Sequence, residues 1–188
     1  MIKEILWIIT LFSTSCLVFA TSHVVISEVL YDPTTTETGG EFIELYNPTP
    51  FPVNLSGWVI ATKTSKKDAI LPNTAYIKPY GFYLVADKGW GSTKKEEWPN
   101  ADYEEAITLS ATNSGVALIR DDTVIDAVGW GSPKIIDNML FEGTPANYVS
   151  EGFSLERKPA FTSEFSGNGI DTDNNTNCLL YTSPSPRD

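Results

Sequence analysis

The chain of 188 residues carries 24 acidic and 13 basic side chains and has a net charge of −11. Such a surface repels a phosphate backbone, which argues against nucleic acid as a partner. The chain has one histidine, His23, two cysteines and no phosphate-binding glycine loop. This inventory excludes histidine-based hydrolysis, thiol catalysis, the usual zinc sites and P-loop chemistry.

The first twenty residues predict a secretion signal. Lys3 is followed by the apolar run 5–20, which ends on the small residue Ala20. Because this order is typical of a cleaved signal peptide, we expect cleavage after Ala20, a secreted or cell-surface protein, and no remaining membrane span. A retained anchor is the alternative, although the run is short and holds four hydroxyl side chains. A lipid attachment at Cys16 is a further alternative with weaker support.

The rest of the chain consists of short apolar runs separated by turn residues, which is typical of β-strands. No window of helical length spaces its apolar residues as a helix does. Asp121 and Asp122 separate two such runs, and aspartate tolerates the left-handed backbone that a tight hairpin turn needs. The sequence therefore predicts one all-β domain over 21–177, an antiparallel sandwich. The main predicted strands are 23–31, 41–47, 53–61, 81–87, 106–110, 115–121, 123–130 and 153–158.

Glu41 and Glu44 in the second run raise the question of acid–base catalysis. Successive side chains of a strand point to opposite faces, so a separation of three positions places these two carboxylates on opposite faces. They cannot act together on one substrate. We expect Glu41, at the strand entrance, to be a solvated edge residue. Glu44 shares its face with Phe42 and Tyr46, and a carboxylate buried there requires a hydrogen-bond partner, which favours a structural role.

The tryptophans divide into two groups. Trp58 and Trp130 follow glycines inside apolar runs and are predicted to be core residues. Trp90 and Trp98 lie in loop sequence, where an exposed ring would stack on a sugar or a protein partner. Core packing or loop anchoring is the alternative for both. The charged runs 94–97 and 102–105 are predicted to be solvated.

The stretch "DTDNNTN" is the best candidate for a metal site. Asp171, Asp173 and Asn175 alternate as oxygen ligands do in short calcium loops, but the glycine and the distal glutamate of an EF-hand loop are absent. An asparagine-rich turn can also satisfy its own backbone. Arg157 is predicted to pair with one of these aspartates and to pin the loop to the sandwich. We expect no cofactor other than calcium.

Several stretches taken together, among them "GEFIELYNPTPFPVNLSGWVI", "NSGVALIRDDTVIDAVGWG" and "GFSLERKP", resemble the lamin tail domain family. The resemblance covers Val24 to Asn177 and implies an immunoglobulin-like β-sandwich of the kind found in secreted prokaryotic proteins. In such proteins the domain often accompanies hydrolase or nuclease domains. We interpret four residues as structural: Glu44, Asn47, Trp58 and Arg157.

The last residues, "CLLYTSPSPRD" at 178–188, resemble the translated read-through of a sequencing-library adaptor. We expect this segment to be non-native and the natural gene to continue beyond Asn177. A genuine polar tail is the alternative. If the segment is foreign, the last strand of the natural domain is missing from this chain.

The sequence predicts a non-catalytic extracellular binding or spacer module of a larger protein. A sandwich of this kind would present its loops to a protein or polysaccharide surface. One alternative is an accessory domain of a secreted hydrolase or nuclease whose catalytic domain is missing. Another is a calcium-stabilised adhesion domain. Carboxylate catalysis, which needs two acids facing each other across a cleft, stays open because sequence alone cannot pair acids.

Overall fold

The computed structural model of the protein describes residues 21–161 and 166–187. The predicted secretion signal at 1–20 lies outside these residues. Within them, no helix is both long enough and apolar enough to cross a membrane. The strands and short helices are β1 Val25–Leu30, β2 Phe42–Tyr46, β3 Val53–Asn54, β4 Val59–Thr62, β5 Ala69–Ile70, β6 Tyr76–Ile77, β7 Phe82–Asp87, α1 Trp90–Thr93, β8 Tyr103–Glu105, β9 Ser114–Arg120, β10 Thr123–Trp130, a 3₁₀ turn Asn138–Leu140, β11 Ser154–Arg157, β12 Ala160–Phe161, β13 Ser166–Gly167, α2 Asn175–Cys178 and β14 Leu179–Thr182.

Two sheets form the sandwich. The larger sheet has the strand order β14-β11-β1-β2-β7-β8, and the smaller has the order β10-β9-β4-β5. All neighbours in these two sheets are antiparallel except β7 and β8, which run parallel. The predicted all-β, immunoglobulin-like sandwich is therefore confirmed, with one parallel pair at the edge of the larger sheet.

The predicted hairpin between β9 and β10 is present. Asp121 and Asp122 have φ angles of 48° and 60°, the left-handed conformation at both central residues that a tight hairpin turn requires. Thr123 pairs with Arg120 directly across the turn. Local sequence chemistry thus decides this connection.

The predicted strand 106–110 is wrong, because these residues join no sheet. Ile107 and Leu109 are buried in the main core, which explains the apolar alternation that suggested a strand. The backbone N–H of Thr108 donates to the Asp68 carboxylate at 2.9 Å, and that of Leu109 donates to Glu41 at 3.0 Å. Side-chain carboxylates therefore take the place of a strand partner.

Both central strands of the larger sheet are buried on both faces, which is unusual for an antiparallel sheet. One face of the sheet packs on the main core between the two sheets, around Ile43 and Val85. The opposite face, which we call the outer face, carries a second apolar cluster: Leu30, Phe42, Leu84, Ala86 and Trp90. The loop that follows α1 covers this cluster with Trp98 and Ala101.

The segment after Asn177 completes the larger sheet. Strand β14 pairs with β11, from Ser154 opposite Thr182 to Arg157 opposite Leu179. Tyr181 on this strand is 74% exposed. Residues 183–187 then continue onto the outer face, where Ser185 and Arg187 contact carboxylates of the central strands.

Candidate functional site

Glu41 is buried, which corrects the expectation of a solvated edge residue. Its side chain is 3% exposed, and its Oε2 accepts the N–H of Leu109 at 3.0 Å. Burial first, and then the charges of Glu37, Asp87 and Asp68, raises the pKa of Glu41 to about 8. The carboxyl group supports the irregular segment 106–110 and is enclosed by the fold.

We expect Glu41→Gln to flatten the pH dependence of stability. The folded pKa of about 8 lies above the unfolded value of 4.5. The contribution of Glu41 to the free energy of unfolding is therefore fully present below about pH 4.5 and is lost as the pH rises through 8. The variant keeps an oxygen for the Leu109 N–H, so at pH 8.5 it should melt about 5 °C above the wild type.

Circular-dichroism melts between pH 5 and pH 9 measure this effect. The control is Glu96→Gln, at an exposed position of the same charge type. Parallel melting curves for wild type and Glu41→Gln across this range would show that Glu41 is not a protonated buried acid.

Three further glutamates form what we call the acid row, on the outer face: Glu44 on β2, Glu28 on β1 and Glu156 on β11. Glu28 lies directly opposite Glu44 on one side and Glu156 on the other. Glu28 and Glu44 are 0% exposed. Burial raises the pKa of Glu28 to about 7 and that of Glu44 to about 8. Burial acts to raise the pKa of Glu156 as well, but hydrogen bonds from Arg187, Thr182 and Asn168 together hold that pKa below its usual value.

Glu41 and Glu44 contact different parts of the molecule. Glu44 Oε1 accepts the hydroxyl of Ser27 at 2.6 Å on the outer face, whereas Glu41 bonds to Leu109 of the main core. Neither carboxylate therefore faces the other across a shared cleft.

Arg157 is the centre of a buried charge network. Its Nη2 donates to both oxygens of Asp126, at 2.8 and 2.7 Å, and its Nη1 donates to Asp171 at 3.1 Å. It also donates to the carbonyl oxygens of Ile26 and Ile170. The structure thus brings together Arg157 and Asp171, as predicted for one loop aspartate. Arg157 lies closer to Asp126, at 2.7 Å, than to Asp171, at 3.1 Å. The sequence did not predict the pairing with Asp126.

The three predicted calcium ligands are not brought together as one site. Asn175 is fully buried, and its Oδ1 accepts the N–H groups of Gly129 at 2.9 Å and Glu142 at 3.2 Å. Asp173 is exposed. Among the described residues, the one group of three acidic oxygens within 4.8 Å comprises Asp126, Glu142 and Asp171, so it contains Asp171 alone of the predicted ligands.

We expect calcium to leave the melting temperature unchanged within about 1 °C. The oxygen of Asn175 already accepts two main-chain N–H groups, and the guanidinium of Arg157 already contacts the carboxylates of Asp126 and Asp171. The measurement compares melts in 5 mM calcium chloride and in chelator, with magnesium as the control cation. A rise of about 5 °C that Asp171→Asn abolishes would instead establish a calcium site.

The lamin tail domain family matches residues 18–132, more than half of the 188 residues. The chain belongs to the lamin tail domain family. The matched segment contains β1 to β10 and therefore most of both sheets. The immunoglobulin-like fold of the family agrees with the sandwich, and it is compatible with a non-catalytic module. No curated protein matches the chain.

The structure buries Trp90, one of the two loop tryptophans of this lamin tail domain. Trp90 is 0% exposed and donates its ring N–H to the carbonyl oxygen of Pro99 at 3.0 Å. Trp98 stacks on it, with ring centroids 5.4 Å apart and an interplanar angle of 8°. The interpretation of Trp90 as a ligand-stacking residue is therefore wrong, and the alternative of loop anchoring applies. Trp98 is half-buried, with Lys95 Nζ 4.7 Å from its ring centroid.

Asn47 and Trp58 have contacts that match structural roles in the lamin tail domain. Asn47 donates to the carbonyl oxygens of Phe51 and Lys78, and its Oδ1 accepts the N–H of Thr49. It therefore holds the proline-rich turn after β2 in place. Trp58 is 4% exposed in the main core.

The charged run 102–105 is not simply solvated. Asp102 Oδ2 accepts the N–H of Leu84 at 2.7 Å, and Glu104 accepts N–H groups of Gly89 and Gly91. Tyr103 begins strand β8. These carboxylates attach the insertion to the sheet edge and to the start of α1.

A hollow of about 400 Å³ lies beside β7 of the lamin tail domain and was not foreseen. Its walls include the rings of Tyr76, Phe82 and Tyr83 and the polar side chains of Lys78, Asn100, Asp102 and Arg187. The guanidinium of Arg187 lies over the Phe82 ring, 5.4 Å from its centroid. Tyr76 is 51% exposed. The alternating apolar character of "GFYLVAD" predicted the strand, but no sequence signal indicated that a separate loop would bring Asn100 beside it.

Proposed function

We propose that this lamin tail domain is a non-catalytic binding module of a larger secreted or cell-surface protein. One observation carries the proposal: three of the buried carboxylates are each engaged by another group of the fold. Glu41 accepts a main-chain N–H, Glu44 accepts the Ser27 hydroxyl, and Asp126 is paired with Arg157. These three carboxylates therefore have structural roles. We expect the exposed surface of the domain to make the contacts with partners.

The hollow beside β7 is the contact surface we assign to this role, and a polysaccharide is its partner. The exposed ring of Tyr76 next to the amide of Asn100 and the carboxylate of Asp102 combines a stacking surface with hydrogen-bonding groups. A sugar ring has one apolar face and a rim of hydroxyls, which matches this combination. The size of the hollow is within the range typical of small-ligand sites.

The test is a depletion assay on insoluble polysaccharides such as cellulose, chitin and peptidoglycan. We expect at least one polysaccharide to retain the wild-type protein, and Tyr76→Ala to weaken retention about tenfold, since one stacking aromatic contributes on the order of 1–2 kcal/mol. The matched control is Tyr148→Ala, a tyrosine that is 48% exposed outside the hollow.

Two outcomes would contradict the proposal. One is equal retention of the wild type and Tyr76→Ala on every polysaccharide that binds. The other is hydrolysis of a glycoside, ester or phosphodiester that Glu41→Gln or Glu44→Gln abolishes, which would make the domain an enzyme.

We further propose that residues 178–188 are translated adaptor sequence and that the natural protein is of the prokaryotic secreted type. The resemblance of "CLLYTSPSPRD" to an adaptor read-through supports the first statement. The charge and hydropathy order of residues 1–20 supports the second. Sequencing the gene from independent genomic DNA tests the first statement, since a genuine tail would be recovered unchanged after Asn177. N-terminal sequencing of the exported protein tests the second, since cleavage after Ala20 leaves Thr21 as the first residue.

A further inference from the structure

Three connections meet at one end of the smaller sheet. Strand β4 leads into the loop 63–68, the segment 111–113 leads into β9, and β10 leads into the segment 131–137. Because β9 is antiparallel to both β4 and β10, all three connections lie at the same end of the sheet. Lys63 Nζ donates to the carbonyl oxygen of Thr112 at 3.2 Å, which ties the first connection to the second.

A hollow of about 410 Å³ lies between these connections, and we call it the basic hollow. Its polar side includes Lys63, Lys66 and Asn113, and its apolar side includes Ile135 and Met139. Ile135 is 63% exposed. Among the described residues that line the hollow, none is aromatic. This surface therefore combines ammonium groups with an exposed aliphatic side chain.

The three connections are basic, although the chain as a whole is acidic. They contain two aspartates and four exposed lysines, which are Lys63, Lys66, Lys67 and Lys134. Asp68 and Asp137 each accept a main-chain N–H. Within residues 21–161 and 166–187, none of the four ammonium groups is paired with a carboxylate. The positive charge of this surface is therefore available to an anionic partner.

The net charge of −11 opposes the approach of this chain to an anionic surface. At physiological ionic strength, however, exposed charges separated by more than about 8 Å are largely screened from each other. The charges closest to a contact therefore contribute most of the interaction. Four lysines lie in or next to the basic hollow, and Asp137 is the one acid among the described residues that line it.

An anionic membrane surface matches both the charge and the exposed aliphatic side chain. Each lysine close to such a membrane strengthens binding about fivefold. An aliphatic side chain gains free energy when it enters the boundary between the headgroups and the acyl chains. A soluble anion would engage the lysines but would leave Ile135 in water. A neutral sugar would find no stacking ring among the described residues of this hollow.

We propose that the basic hollow docks this domain on a membrane that contains anionic phospholipid. A lipid phosphate lies between Lys63 and Lys66, and Ile135 enters the acyl-chain boundary beside it. Asn113 Oδ1 already accepts the N–H of Ser132 at 2.9 Å, so its amide NH₂ group is the further donor to the phosphate. This inference goes beyond the proposed polysaccharide contact and rests on different residues.

The experiment is co-sedimentation of the full chain with sucrose-loaded vesicles in about 0.1 M sodium chloride. One set of vesicles contains phosphatidylcholine and phosphatidylglycerol at about 2:1, and the other contains phosphatidylcholine alone. We expect the wild type to bind the anionic vesicles at least about tenfold more strongly than the neutral ones. Lys63→Gln with Lys66→Gln should weaken this binding about 25-fold, and Ile135→Ser should weaken it about fivefold.

Two matched variants control for net charge and for surface apolarity. Lys88→Gln with Lys95→Gln makes the same change in net charge at exposed positions outside the basic hollow. Val124→Ser removes an exposed apolar side chain at the opposite end of β10. Both should bind the anionic vesicles as the wild type does. Thermal melts of all variants verify that these exposed substitutions leave the fold intact.

Four outcomes would overturn the proposal. The first three are equal binding to the two sets of vesicles, equal loss in the two lysine pairs, and undiminished binding of Ile135→Ser. The fourth is displacement of the protein from the vesicles by about 10 mM glycerol phosphate at matched ionic strength, which would assign the hollow to a soluble phosphate. Retention on polysaccharide is a separate readout, because these lysines lie outside the hollow that Tyr76 lines.

Discussion

Arg157→Met is expected to lower the free energy of unfolding by about 3–5 kcal/mol, because it leaves buried acids without their counter-ion. The guanidinium is fully buried and bonds to both oxygens of Asp126 and to Asp171. Methionine fills a similar volume but supplies no donor to these carboxylates. Burial raises the pKa of Asp126 even with Arg157 present, so the loss of Arg157 leaves a carboxyl group that is costly to ionise.

Urea denaturation followed by tryptophan fluorescence measures this loss. The matched control is Arg120→Met, since the Arg120 side chain is 56% exposed and its partner Asp121 is 3.9 Å away and 95% exposed. Such a surface pair contributes less than about 1 kcal/mol. If both arginine variants lose equally little stability, the network does not hold the fold together.

Trp90→Ala is the second change with a large expected effect, a loss of about 3–5 kcal/mol. The side chain is fully enclosed in the outer-face cluster. The Phe42 ring packs edge-on against it, with the ring centroids 5.5 Å apart, and the Trp98 ring stacks on it. Alanine would leave a cavity and would also leave the Pro99 carbonyl without its donor.

The matched comparison for Trp90→Ala is Trp98→Ala, which removes the less buried ring of the same stacked pair. Trp98 is half-buried, so its removal should cost about 1–2 kcal/mol, less than that of Trp90. Thermal and urea denaturation of both variants measure the difference. A Trp90→Ala protein with wild-type stability would show that Trp90 does not anchor this loop to the sheet.

The carboxylates of this lamin tail domain act repeatedly as main-chain acceptors. Glu41 accepts from Leu109, Asp68 from Thr108 and Asp102 from Leu84. In the first two cases the irregular segment 106–110, which lacks a strand partner, donates main-chain N–H groups to side chains. In the third case the N–H belongs to strand β7 and the carboxylate belongs to the insertion. A strongly acidic composition therefore has a structural use here, because buried N–H groups require acceptors wherever no ladder supplies them.

The sequence by itself determined most of the strands of the two sheets and their local connections. Alternation in "EFIELYN" determined that Glu41 and Glu44 point to opposite sides, and Asp121 with Asp122 determined the hairpin. The glycine-tryptophan pairs correctly marked Trp58 and Trp130 as core residues. These features follow from the two-residue period of a strand and from turn chemistry, which act over a few neighbouring residues.

Only the tertiary structure decided which side chains are buried and which meet. Glu41 is enclosed because segment 106–110 lies over it, and Trp90 is enclosed because Trp98 folds back onto it. The acid row depends on the register of three strands, including an irregularity between Ile26 and Glu28. Burial and pairing of this kind arise from segments far apart in the chain, and a pattern within one strand carries no information about what packs over its faces.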